Sequence, residues 1–178
     1  MRTQSKHVVE KLGAALAALV VAVLLAGCAA AQTQTPATLR LLTWNIHHGE
    51  GTDGRLDLER IAGVIRRAEA DLAALQEVDQ GVARTQRRDL PAELAALTGL
   101  TCVFSNNYHF QGGFYGNAVL SRLPILGWTN RHYRMVRPGE QRGLLQVTVA
   151  VGKQRLRFCA THIDYRPDDT ERIQNVAE

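Results

Sequence analysis

The stretch LDLERIAGVIRRAEADLAALQEV, residues 56–78, changes its hydrophobic period partway along. Leu58, Ile61, Ala62, Ile65 and Ala68 recur at intervals of three and four, which puts them on one face of an amphipathic helix. From Asp71 the run DLAALQEV (71–78) is short and nearly continuously apolar, as expected of a strand buried on both faces. Upstream, TLRLLTWNI (38–46) is an apolar, β-rich run that stops at the polar loop HHGEGTDG. Strand, helix and strand in this order make a βαβ unit, so the spacing predicts a parallel strand pair in an α/β fold.

Working outward, Asp89 and Pro91 open a second predicted helix, DLPAELAALTG, with a capping acid, a proline in the first turn and Gly99 as its stop. TCVFSNN and YGNAVLSRLPI (115–125) read as strands, the latter ending near Pro124. GLLQVTVAVGKQRLRFCATHI (143–163) is the clearest hairpin: Leu145, Val147, Val149 and Val151 alternate, Gly152-Lys153 turns, and Leu156, Phe158 and Ala160 alternate again. After Pro167, Asp168 or Asp169 can cap a last helix, with Glu171 at its positive end.

The N-terminus carries a different signal. Arg2, Lys6 and Lys11 precede an uncharged apolar run from Leu12 to Gly27, too short to span a bilayer but suited to a secretory leader. Leu25-Ala26-Gly27-Cys28 resembles a bacterial lipobox, which makes residues 1–27 a leader, Cys28 the lipidated residue and 28–38 a short tether to a domain over 39–178. Ordinary cleavage within Ala29 to Ala31 is the alternative, giving a freely secreted protein. Either way the protein is expected to be exported, and with lipidation to be held on the membrane of a bacterial cell envelope.

The whole chain has 178 residues, 46% hydrophobic and 21% charged, with a formal net charge of +4. Without the leader, 18 basic against 16 acidic residues leave +2, which is weak evidence for a nucleic-acid partner. Cys102 and Cys159 sit in apolar runs and are expected as free buried thiols, with oxidation in an exported chain as the alternative.

Three polar residues stand where apolar strands finish: Asn45, Glu77 and His162. The carboxyl ends of strands line the ligand crevice of α/β sheets, so the three could converge on one rim. A carboxylate at the end of a buried run is costly unless paired or bound to a metal. Hard ions such as Mg²⁺ take one or two carboxylates and fill the remaining positions with water and phosphate oxygens. Asn45 could orient such a carboxylate or donate to phosphate, and His162 could contact phosphate or move a proton. His47-His48 looks like a metal pair, but in an extended segment adjacent side chains point to opposite faces, which argues against joint ligation. Asp53 and Asp57 read as loop and helix-start residues, and GEGTDG lacks the spacing of a nucleotide loop.

LTWNIHHG, ALQEVD, YGNAVLSRLPI, EQRGLL and CATHID, in this order, resemble the endonuclease/exonuclease/phosphatase superfamily of DNase I-like phosphoesterases, from about Leu39 to the last residue. The resemblance implies a four-layered αββα sandwich and Mg²⁺- or Mn²⁺-dependent hydrolysis of a phosphate ester, whether nucleic acid, phospholipid head group or small phosphodiester. It implies that Glu77 is the metal ligand, Asn45 its neighbour at metal and phosphate, and His162 a catalytic histidine on the phosphate. Asn117 and Arg142 lie in matching segments with supporting places; Asn117 could instead satisfy local backbone, and Arg142 could be surface.

The superfamily's later Gly-Asp-x-Asn and Asp-His motifs do not occur in this sequence. The chain therefore reads as the N-terminal part of a longer enzyme, monomeric when complete, and is expected to be inactive or nearly so alone. An apolar surface is expected near the hairpin. A non-catalytic envelope lipoprotein using the fold for binding is the competing reading.

Overall fold

Asp57 starts the first helix, α1 (Leu58–Arg67), by accepting a hydrogen bond from the Arg60 amide at 3.0 Å. The computed structural model describes residues 38–178; the leader, Cys28 and the tether up to residue 37 lie outside the described residues. α1 connects β1 (Leu41–Asn45) to β2 (Leu72–Gln80), and the two strands pair in parallel, with Leu41 opposite Leu72 and Asn45 opposite Gln76. The βαβ unit is present as its period change requires. Asp89 caps α2 (Leu90–Thr98) through the Ala92 amide at 3.1 Å, and Gly99 ends it in the left-handed region at φ 70°, where a glycine carries no Cβ penalty.

β3 (Thr101–Phe110) and β4 (Gly113–Ser121) complete a first sheet of order β1-β2-β4-β3. One face of it is covered by α1 and α2, whose Ile61, Ile65 and Leu94 pack into a core with Leu75, Val78 and Leu120. β5 (Ile125–His132), β6 (Gly143–Val151) and β7 (Gln154–Thr161) form a second, antiparallel sheet in that order. Leu145, Val147 and Val149 of β6, all 0% exposed, pack against Leu72, Ala74 and Val119 of the first sheet. Burying each such side chain contributes about 1.5–3 kcal/mol, so the contact between sheets is a main source of cohesion. Among the described residues, helices cover the outer face of the first sheet only; the outward side of the second carries Gln146, Thr148, Arg155 and Arg157. α3 (Thr170–Ala177) closes the chain.

Three expectations change, and one strand, β5, was not legible, because its eight residues follow no apolar alternation and most are exposed. The inner apolar face of the hairpin is covered by the first sheet, while the exposed apolar side chains include Leu126 and Trp128 on β5, the strand paired with the hairpin, and Ile173 and Val176 on α3. Cys159 is exposed, not buried: it sits between Phe158 and Ala160, so the strand period that turns those two inward turns it outward. Glu171 is buried and accepts the Val136 amide at 3.1 Å rather than serving only the helix end.

One irregularity positions the site. Leu75 pairs with Ala118 and Val78 with Gly116, so Gln76 and Glu77 together face Asn117 across a β-bulge. Glu77 lies in the left-handed region at φ 59°. A neighbouring irregularity in β3, between Asn106 and Tyr108, flanks Gly116. There the strands approach so closely that a Cβ on residue 116 would lie 1.9 Å from the Ser105 carbonyl oxygen, which excludes any side chain.

Candidate active site

The bulge turns Glu77 out of the strand period and towards the end of β1. Its Oε1 accepts a hydrogen bond from Asn45 Nδ2 at 2.7 Å, while Asn45 Oδ1 accepts the His47 backbone N–H at 3.0 Å. A backbone donor on one side and a carboxylate on the other fix which way the amide faces. Asn45 therefore aims the carboxylate with its nitrogen, and its fit as a direct metal ligand is confined to the remaining lone pair of Oδ1.

His162 follows the end of β7, and its Nε2 lies 3.8 Å from Glu77 Oε1. Asn45, Glu77 and His162, singled out from separate strands, thus meet at one point. Arg142 Nη1 lies 2.8 Å from His162 Nδ1. A guanidinium only donates, so Nδ1 accepts and the proton of the neutral ring sits on Nε2, facing Glu77. Burial pushes the His162 pKa below its ordinary value and the Arg142 charge pushes it the same way, against the opposing pull of Glu77.

Arg142 is not a surface residue. It is 5% exposed and pairs with Glu140 at 2.7 Å as well as with His162. Burial raises the Glu140 pKa against the lowering effect of Arg142, and the nearby Glu77 charge raises it further. Asn117 takes the structural alternative: it is 1% exposed and its Nδ2 donates to the Gly143 carbonyl at 3.2 Å and to Ala160 at 3.4 Å, tying β4 to the second sheet.

Sequence reasoning missed Asp79 and Arg84. Asp79 is 0% exposed, and its two carboxylate oxygens accept from Arg84 Nε at 2.8 Å and Nη2 at 2.9 Å. Burial opposes the Arg84 charge, but the hydrogen bonds it donates to Asp79 and the Asp79 charge more than offset it, and the Arg84 pKa is raised. The argument used for Glu77, a carboxylate within an apolar run, applies equally to Asp79 and could have found it.

His47 and His48 also depart from expectation. Both are left-handed, at φ 47° and φ 45°, so the segment is not extended and the rings come to 4.4 Å between centroids. Such a conformation costs non-glycine residues about 1 kcal/mol or more each. One ligand atom from each of His47, His48 and Glu77 lies within 4.8 Å of the others. Nδ1 of the buried His48 has no hydrogen-bond partner among the described residues, and burial, with the charges of Arg84 and His47, lowers its pKa. An unpartnered buried nitrogen beside an acid that, among the described residues, has no lysine or arginine at ion-pair distance fits a bound divalent ion. Beside Asn45 and His47, a cleft of about 650 Å³ opens, walled by Trp44, Ile46, Ile61 and Val64.

The model of the Endonuclease/Exonuclease/phosphatase family matches residues 42–168. Among solved structures, an endonuclease/exonuclease/phosphatase from Beutenbergia cavernae DSM 12333 is similar at 30% identity and a TM-score of 0.59, over 73% of this chain and 39% of that one. TDP2 from Caenorhabditis elegans is similar at 22% identity and a TM-score of 0.58, over 78% of this chain and 38% of that one. The mannosyl-6-phosphatase Bt3783 of Bacteroides thetaiotaomicron VPI-5482 shares the fold at 11% identity and a TM-score of 0.62, over 79% of this chain and 57% of that one. The chain thus spans between 38% and 57% of the length of these relatives. Among curated proteins nothing matches.

Proposed function

The chain belongs to the endonuclease/exonuclease/phosphatase family, and from that premise we propose that it provides the cation- and phosphate-holding part of a divalent-metal-dependent phosphoric ester hydrolase. The observation that carries this reading is the meeting of Asn45, Glu77 and His162, with Glu77 bonded to an amide and near a neutral imidazole but, among the described residues, at ion-pair distance from no guanidinium or ammonium.

Glu77 would hold the ion, Mg²⁺ or Mn²⁺, through the carboxylate that Asn45 orients. When bound, such an ion supplies Lewis-acid polarisation of a phosphoryl oxygen. His162 donates its Nε2 proton to a second phosphoryl oxygen, and Arg142 keeps that proton in place by occupying Nδ1. Arg142 and Arg84 add positive charge around the substrate, while Glu140 and Asp79 balance them and leave Glu77 to the ion. The walls of the neighbouring cleft admit an apolar part of the ester.

The substrate is a phosphate ester of the nucleic-acid, lipid head-group or small phosphodiester class. The Leu25–Cys28 motif supports export and lipid attachment at the envelope, which palmitate labelling of the chain and of Cys28→Ser tests. For the reaction, cleavage of bis(p-nitrophenyl) phosphate by the complete enzyme, of which this chain is expected to be the N-terminal part, should require Mg²⁺ or Mn²⁺, stop with EDTA and fail in Glu77→Gln. His162→Gln should lower kcat by about 10²–10³-fold, the loss typical of one donor to developing charge. EDTA-resistant cleavage that survives in Glu77→Gln would overturn the reading, and cation-dependent ester binding without turnover would support a binding module instead.

A further inference from the structure

We infer that His47 and His48 join Glu77 in a nitrogen-rich site that prefers a divalent transition ion over Mg²⁺, and that Glu50 holds both rings for it. The inference rests on Glu77 being the cation-holding residue and adds the class of ion.

The geometry comes from the backbone. Two consecutive left-handed residues curl the chain after Ile46, so that neighbours which an extended strand would send apart lie with their rings side by side. The third member, Glu77, is left-handed too, and all three ligand atoms fall within 4.8 Å of one another. Coordination at about 2.0–2.2 Å needs ligand atoms near 3–3.5 Å apart, a closure of up to roughly 1.5 Å that rotation of the side chains can supply.

Glu50 serves both rings. Its backbone oxygen lies 3.3 Å from His47 Nδ1, and its carboxylate Oε2 lies 3.5 Å from His48 Nε2. Each imidazole so has one nitrogen facing a Glu50 oxygen, which leaves His47 Nε2 and His48 Nδ1 as the other nitrogens, the second of them buried and without a partner among the described residues. This is the arrangement by which ligating histidines are commonly oriented: one nitrogen to the metal, the other donating to a carboxylate or a carbonyl. Two imidazoles and one carboxylate suit ions of the Fe²⁺ to Zn²⁺ range, whereas Mg²⁺ keeps to oxygen ligands and several waters.

The test is metal binding by the full chain, read without turnover. Co²⁺ titrated into the chain should give visible ligand-field bands that Zn²⁺ displaces at matched concentration and a large excess of Mg²⁺ does not. His47→Gln, His48→Gln and Glu50→Gln should each weaken Co²⁺ binding by about 10-fold or more. His47 is exposed, so its variant reports even if His48→Gln misfolds. Unchanged Co²⁺ affinity in His47→Gln, or displacement of Co²⁺ by Mg²⁺ at matched concentration, would overturn the inference. If Glu77→Gln still abolishes Mg²⁺ binding in that case, the proposed function stands and only the histidine assignment falls.

Discussion

Glu77 and Asp79 are two residues apart on one strand, on either side of the last step of a bulge, and they have opposite fates. Asp79 is fully enclosed and both its oxygens are met by Arg84. Glu77 keeps a partly open side chain, 19% exposed, accepts a hydrogen bond from the Asn45 amide and has the neutral His162 imidazole 3.8 Å away. A buried charge with its own counter-charge belongs to the architecture, whereas one supplied only with neutral donors is left with charge to share. The difference marks where an external cation fits, and it is set by the bulge rather than by residue type.

Removing each acid sharpens the contrast. Asp79→Asn should destabilise the fold by about 3 kcal/mol or more in chemical denaturation, because Arg84 would be left without its counter-charge. Glu77→Gln should leave stability within about 0.5 kcal/mol, as expected away from a buried pair. Equal losses in the two would erase the distinction. A third acid, Asp57, caps α1 at the surface, and Asp57→Ala should fall between them at about 1 kcal/mol.

The smallest effect concerns enclosure alone. Burial pushes the Cys102 thiol up to about 12, so at pH 8 it stays protonated and unreactive, while Cys159 is exposed. Ellman's reagent should titrate Cys159 promptly in the native protein and Cys102 only after denaturation. Prompt reaction of Cys102 would show that the first sheet's helical cover opens readily to solvent.

The elements that could be read from sequence are those whose apolar period is regular: the α1 stripe, the continuous run of β2 and the β6-β7 alternation. β5 carried no such pattern, since it lies at a sheet edge with Leu126, Trp128 and Arg131 exposed. Asn45, Glu77 and His162 were legible because strand ends in α/β folds gather at one rim. The bulge was not, because it depends on how β2 pairs with β4 around Gly116. The turn at His47-His48 was missed for a related reason: left-handed conformations of non-glycine residues leave no mark in hydrophobic pattern, and an extended backbone was the natural assumption. Arg142 could not be placed inside, since its burial depends on Glu140 and His162, the latter 20 positions along the chain.

The central claim is that residue 77 is the point where the protein holds a cation, and Mn²⁺ binding followed by electron paramagnetic resonance tests it most directly. The free Mn²⁺ signal should fall on adding the parent chain and should persist on adding Glu77→Gln whose circular dichroism matches the parent. Equal loss of signal with both proteins would contradict the account.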